Sequence, residues 1–189
     1  MSWEYSEDNL IEQTAIDLFL NQLGWDTLLA YNKEGFGEGS TLGRLNKKEV
    51  VIKKIFFEKL KQFNPNLPEQ AYNQAFEKLT EESITKSLAE INFEKHQLLR
   101  NGIPVDFITE KGEQVKNKIL KVFDFDNANN NNFLAVRQLW IQGKSNRERR
   151  PDIIGFVNGI PLLFIELKAA HRKLENAYND NFTDYKDVI

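Results

Sequence analysis

Apolar positions in "SEDNLIEQTAIDLFLNQLGW", residues 6–25, recur at the helical period, with Ala15, Ile16, Phe19 and Leu23 on one stripe. Ser6 suits the N-cap, acids fill the first turn and Gly24 follows the last turn, so a capped helix is expected. Glu12 shares the stripe with Ala15 and Ile16 and should point inward; the other reading is a partly exposed acid favoured by the helix dipole. The next stretch, "YNKEGFGEGSTLGRLNKKEV", is rich in glycine at Gly35, Gly37, Gly39 and Gly43. It has no G-x-x-x-x-G-K-[ST] string and no convincing strand before it, which favours a mobile loop over a phosphate cradle. Two or three helices follow at about 46–62, 68–80 and 82–100, with Pro68 suited to a first turn and Gly102 to a stop.

After "RNGIPVDF" the period shortens to that of extended chain. Strands are expected at about 103–109, 115–125, 133–141, 152–157 and 161–167, separated by "TEKGE", "DNANNNN" and "GKSNRERRP". The asparagine run 129–132 reads as a turn, and a last helix over about 174–186 carries Tyr178, Phe182 and Tyr185. Neither an internal repeat nor a linker divides the chain. The expectation is a single domain over 1–189, helical to about 102 and a sheet core from about 103. A helical layer, a mostly antiparallel meander and a closing helix make an α/β sandwich in outline.

Composition narrows the chemistry. The chain has 189 residues, 41% hydrophobic with 14 Phe, enough for a sizeable core. With no cysteine and only His96 and His171, disulfides, Cys-based zinc and a His-rich metal site are excluded, so a metal would be held by oxygen. The N-terminus lacks a signal-peptide pattern and no run of eighteen apolar residues occurs, pointing to a soluble cytoplasmic protein with no membrane partner. A net charge of -3 does not advertise nucleic-acid binding, but positive charge is concentrated locally. Residues 44–61 hold Arg44, Lys47, Lys48, Lys53, Lys54, Lys59 and Lys61, and residues 144–150 hold Lys144, Arg147, Arg149 and Arg150. Each run reads equally as a solvated face or as a cationic surface.

The stretch "RRPDIIGFVNGIPLLFIELKAA", residues 149–170, sets Asp152, Glu166 and Lys168 in an apolar hairpin expected to be buried on both faces. Charges in such a place need partners. A hard divalent cation is the simplest partner for two carboxylates, and Mg²⁺ usually takes one or two from the protein while substrate phosphate completes its shell. Glu166 and Lys168 are two apart on a strand and so share a face, which aims the lysine at whatever the metal binds. Metal-assisted phosphodiester hydrolysis follows: Asp152 and Glu166 hold the ion, and Lys168 orients water or stabilises phosphoryl charge. The carboxylates must share a face, yet a plain two-residue Asn158-Gly159 turn would pair Asp152 with Ile165. A three-residue loop or a β-bulge is therefore required.

"PDIIGFVNGIPLLFIELK" resembles the PD-(D/E)-x-K signature of restriction-endonuclease-like nucleases. With "NFEKHQLLRNGIPV" and "LGRLNKKEV" it resembles, over nearly the whole chain, the N-terminal nuclease domain of type I restriction enzyme R subunits. The resemblance implies an α/β, restriction-endonuclease-like core with a mixed, mostly antiparallel sheet flanked by helices and an N-terminal helical layer. It also implies metal ligation by Asp152 and Glu166, a catalytic Lys168, and an extra acid from the first helix, for which Glu12 is the choice. Such subunits tend to carry Gln-x-x-x-Tyr after the lysine; here Asn181 and Tyr185 have that spacing, with glutamine replaced.

The same resemblance makes the chain an N-terminal fragment that cuts double-stranded DNA without choosing a sequence. ATP would act through a motor absent from it, and modification and specificity subunits would be its partners. Arg147, Arg149, Arg150, Lys144, Lys47 and Lys48 would then grip phosphates. The competing readings are a stand-alone metal-dependent DNase and a non-catalytic docking scaffold.

Overall fold

The computed structural model describes residues 7–31, 33–81, 83, 85–143 and 146–167. The expected last helix and the Ser6 cap lie outside them. The chain forms two compact units, residues 1–54 with 132–189, and residues 55–131.

In the first unit α1 (Glu7–Asn21) packs through its apolar stripe. Ile16 and Phe19 are buried and form a cluster with Ala135 and Ile153, against which Ala15, Trp25, Ile165 and Leu167 pack. Past its end the chain passes through Gly24 at φ 68°, a left-handed value that glycine adopts without steric cost. Trp25 N–H then donates to the Phe19 carbonyl at 2.9 Å, and the Trp25 ring settles 5.0 Å from that of Phe19.

A strand not anticipated from the sequence follows, β1 (Asp26–Leu29). Only four residues long and lacking alternation, it pairs in parallel with β4 (Phe133–Arg137). β4 runs antiparallel to β7 (Ile153–Val157), which runs antiparallel to β8 (Ile160–Ile165), giving the order β1-β4-β7-β8. This is α/β architecture with a mixed, mostly antiparallel sheet, compatible with a restriction-endonuclease-like fold. The chain leaves the long strand expected at 133–141 at Gln138, whose φ is 54°. It then makes a separate small hairpin of β5 (Ile141–Gln142) and β6 (Glu148–Arg149).

The β7–β8 turn is the plain two-residue one, with Asn158 at φ 50° and Gly159 at φ 78°, both left-handed as a type I′ turn demands. Asn158 is buried and clamped to Asn132: its N–H donates to the Asn132 carbonyl at 2.9 Å, and its Oδ1 accepts from Asn132 N–H at 2.7 Å. A bulge lies farther along. Phe156 pairs with Pro161 but Gly155 with Leu163, leaving Leu162 as the extra residue. A Cβ at Gly155 would come within 2.9 Å of Leu163 Cβ and 3.0 Å of Trp25 Cζ3, so glycine is needed there for close approach. Both faces of β7 are buried. β8 is not, contrary to expectation: Leu162, Leu163 and Phe164 are 51%, 39% and 37% exposed.

One further expectation for the first unit is corrected. Residues 46–52 are turns, not helix, because their backbone groups are engaged elsewhere. The Lys47 carbonyl accepts from Arg44 Nη2 at 2.9 Å and from Gln142 N–H at 3.0 Å, while Asn46 Oδ1 accepts from Lys48 N–H at 2.9 Å. In the glycine-rich loop, now preceded by β1, the N–H groups of Gly37, Ser40 and Gly43 donate to the carbonyls of Arg44, Gly37 and Ser40. They turn into the loop itself, not toward a phosphate.

The second unit holds α3 (Glu69–Thr80), α4 (Leu88–Asn101), most of α2 (Lys53–Phe63), and an antiparallel pair, β2 (Ile103–Ile108) with β3 (Gln114–Leu120). Phe56, Phe57 and Phe76 meet with ring centroids 5.4–5.6 Å apart. α4 begins at a capping box, in which Ser87 accepts from Glu90 N–H and Glu90 reaches back to Ser87 N–H. The asparagine run is a turn containing a 3-10 segment at Ala128–Asn130. Asp124 gathers it, accepting from Asn130 Nδ2 at 2.7 Å and from Lys121 Nζ at 2.9 Å.

Candidate active site

The bulge decides where the hairpin acids fall. It restores Ile153 opposite Ile165, the last pair of the ladder, and Asp152 and Glu166 are the next residues beyond that pair. Ile153, Ile165 and Leu167 all pack toward α1. Continued one residue past the strand ends, the alternation would put Asp152 and Glu166 together on the other face. Asp152 is fixed by its surroundings: Oδ2 accepts from Leu167 N–H at 2.6 Å, Oδ1 accepts from Gln138 Nε2 at 3.2 Å, and its carbonyl accepts from Gln138 N–H at 3.0 Å. Lys168, Asn181 and Tyr185 lie outside the described residues.

Glu12 comes from α1 and is buried, 6% exposed. Its Oε2 pairs with Arg137 Nη2 at 3.2 Å, and its Oε1 accepts from Gln138 Nε2 at 2.5 Å. Arg137 also reaches Gln13 Oε1 at 2.9 Å. Burial pushes the Glu12 carboxyl above its usual range and the nearby charge of Asp152 pushes it further, while Arg137 and Gln138 oppose the shift. One amide thus links the helix acid to the hairpin acid. Neither Arg137 nor Gln138 stood out in the sequence: both lie in "LAVRQLW", which reads as ordinary strand. A polar pair at the end of an apolar run was the available signal.

The donors suit a hard cation, since Asp152, Glu166 and Glu12 offer only carboxylate oxygen. Gln138 Oε1, also oxygen, is buried without a hydrogen-bond partner among the described residues. No group of three or more His, Cys, Asp or Glu side chains among the described residues could by itself hold a metal ion. The two hairpin acids are a minimal set that bound phosphate and water would complete.

The basic residues divide into two kinds. Arg44 is 1% exposed and structural: it pairs with Glu34 at 3.1 Å and donates to the carbonyls of Lys47 and Trp140, both at 2.9 Å. Burial lowers the Arg44 pKa and raises that of Glu34. Others gather on a surface around Trp140. Arg150 lies over Tyr31 at 4.4 Å and over Trp140 at 5.2 Å. Lys47 lies 5.1 Å from the Trp140 ring and is tied to Glu148 at 2.7 Å. Arg149 donates to the Glu148 carbonyl at 2.9 Å. Lys48 and Arg147 are exposed, and Lys144 lies outside the described residues.

A mixed sheet packed against the acid-bearing helix α1 is compatible with a restriction-endonuclease-like fold. Residues 4–189 match the family described as Type I restriction enzyme R protein N terminus, and the chain belongs to that family. It is 37% identical over 185 residues to the type I restriction enzyme HindI endonuclease subunit of Haemophilus influenzae, covering 96% of this chain and 17% of that one. A protein of Methanocaldococcus jannaschii, provisionally named as the MjaIXP endonuclease subunit of a type I restriction enzyme, is 29% identical over 194 residues, 97% of this chain and 17% of its own. The chain thus spans about a sixth of the length of these relatives. Among the described residues no helix is long and apolar enough to cross a membrane.

Proposed function

We propose that this chain is the DNA-cleaving domain of a type I restriction R subunit, hydrolysing phosphodiester bonds of double-stranded DNA with Mg²⁺ as cofactor. The observation that carries the reading is the β7–β8 register, whose Leu162 bulge pairs Ile153 with Ile165 and so leaves Asp152 and Glu166 as the next residues beyond one pair. The family membership and the endonuclease names of the relatives support it.

Asp152 and Glu166 would hold Mg²⁺, with Glu12 as a third acid. When bound, the ion supplies Lewis-acid polarisation of a phosphoryl oxygen and acidifies water at neutral pH. Lys168 orients the attacking water and stabilises charge on the phosphoryl group. Tyr185 and Asn181 take the positions of the family's Gln-x-x-x-Tyr element. Arg150, stacked against two rings, presents its guanidinium to a phosphate together with Arg147, Arg149, Lys144, Lys47 and Lys48. Modification and specificity subunits and an ATP-driven motor complete the enzyme, and sequence choice lies with them.

The test is a paired assay of DNA cleavage and ATP turnover in the reconstituted complex. Lys168→Ala should cut about a hundred- to a thousandfold more slowly while ATP turnover persists. Asp152→Ala and Glu166→Ala should lose cleavage and Mg²⁺ binding together. Near wild-type cutting by the two acid variants would overturn the reading, and loss of ATP turnover in all three would favour a docking scaffold.

A further inference from the structure

Gln138 has three unusual properties at once. It is 4% exposed, its backbone is left-handed at φ 54° although it is not glycine, and its Oε1 has no partner among the described residues. Its other groups are fully used. The backbone N–H holds the Asp152 carbonyl at 3.0 Å, and Nε2 sits 2.5 Å from Glu12 Oε1 and 3.2 Å from Asp152 Oδ1. An NH₂ group has two hydrogens, one for each carboxylate. This contact sets the amide orientation, because the reverse would face a carbonyl oxygen against two acids.

A helix acid and a hairpin acid brought to one amide repel each other; the Gln138 NH₂ and the Arg137 guanidinium together hold them in place. The left-handed kink ends β4 at Arg137 and lets the next side chain span the two elements. We propose that Gln138 is the positioning residue that makes Glu12 part of the divalent-cation site, by tying Glu12 to Asp152 and keeping one amide oxygen uncommitted beside them. The inference rests on the metal reading given above.

The experiment measures Mg²⁺ affinity calorimetrically, and the Mg²⁺-induced rise in melting temperature, for the chain and for Gln138→Met, Glu12→Gln and the double variant. Gln138→Met should weaken Mg²⁺ binding about tenfold or more, as loss of a supporting residue typically does. The double variant should bind no worse than the weaker single one, because the two residues act as a unit. Additive losses, or wild-type affinity in Gln138→Met, overturn the inference and leave the metal reading standing; a chain that shows no Mg²⁺ response at all overturns both.

Should Gln138→Met not fold, Gln138→Glu keeps the shape and adds a fourth carboxylate to Asp152, Glu166 and Glu12. It should melt lower than the wild type without Mg²⁺ and gain more from the ion. A gain no larger than the wild type's would count against the bridge.

Discussion

Leu167 N–H donates to Oδ2 of Asp152 at 2.6 Å, so the backbone just past β8 fixes the carboxylate at the start of β7. A hydrogen bond to a charged acceptor of this kind contributes about 1.5–3 kcal/mol. The same acid thus serves the fold and, in the proposed function, the metal site, and two substitutions separate these roles. Asp152→Asn keeps an oxygen that can accept from Leu167 and should leave the melting temperature close to that of the wild type while abolishing the Mg²⁺ response. Asp152→Ala should lose both, with stability lower by about 1–3 kcal/mol. Equal melting temperatures for the two variants would show that the Leu167 contact contributes nothing.

The bulge leads to a second expectation that runs against intuition. Leu162 is the unpaired residue, so deleting it should straighten β8 while preserving every pairing, Ile153 with Ile165 included, and with it the placement of Asp152 and Glu166 just beyond. Mg²⁺ binding should survive. Inserting one alanine between Phe164 and Ile165 should instead send Glu166 to the other face and abolish binding. Calorimetry on the two variants distinguishes them, and loss of binding in the deletion alone would refute this account of the register.

Around Trp140 the expectation concerns DNA. Arg150 is held by stacking on Tyr31 and Trp140, contacts that leave the edge of its guanidinium able to meet a phosphate. Arg150→Ala should weaken duplex binding and reduce the slope of log affinity against log salt by about 0.9. Trp140→Leu should weaken binding with a smaller change in slope, since the charge remains and only its positioning is lost. Fluorescence anisotropy across a salt series reads both quantities.

A fourth expectation is pH dependence in the second unit. Hydrogen bonds from Asn130 and then Lys121 hold the Asp124 carboxyl well below the usual carboxylate range. A depressed acid stabilises the fold above its unfolded pKa, about 3.9, and that contribution is lost as pH falls through the lower folded value. Melting curves between neutral pH and pH 2 should show a shallower acid limb for Asp124→Asn than for the wild type. Parallel limbs would remove Asp124 from the account.

The hairpin and its acids were legible in the sequence because charge in an apolar strand pair is conspicuous, and counting parity already demanded a loop or bulge. Its burial was not, since an apolar run reads the same on an exposed strand as on a covered one. The Ser87-x-x-Glu90 box that starts α4 was present in the sequence, but the helix was expected from about residue 82. β1 was missed because four residues show no period, and its pairing with β4 is specified by residues far along the chain. Gln138 was illegible for a related reason: a glutamine acquires meaning only when α1 and β7 are brought to it. Residues 46–52 misled because helical propensity was outweighed by a buried arginine competing for the Lys47 carbonyl.

The parallel pairing of β1 with β4 matches Asp26 with Leu134, and the whole second unit lies between them in sequence. Closing so long a loop is slow compared with forming the neighbouring β7–β8 hairpin. During synthesis Glu12 emerges from the ribosome early, but Gln138, Asp152 and Glu166 follow only after residues 55–131 have been made. A growing chain therefore carries Glu12 apart from Gln138 and Asp152 until the strands beyond residue 131 have been made, and the proposed site cannot assemble before then.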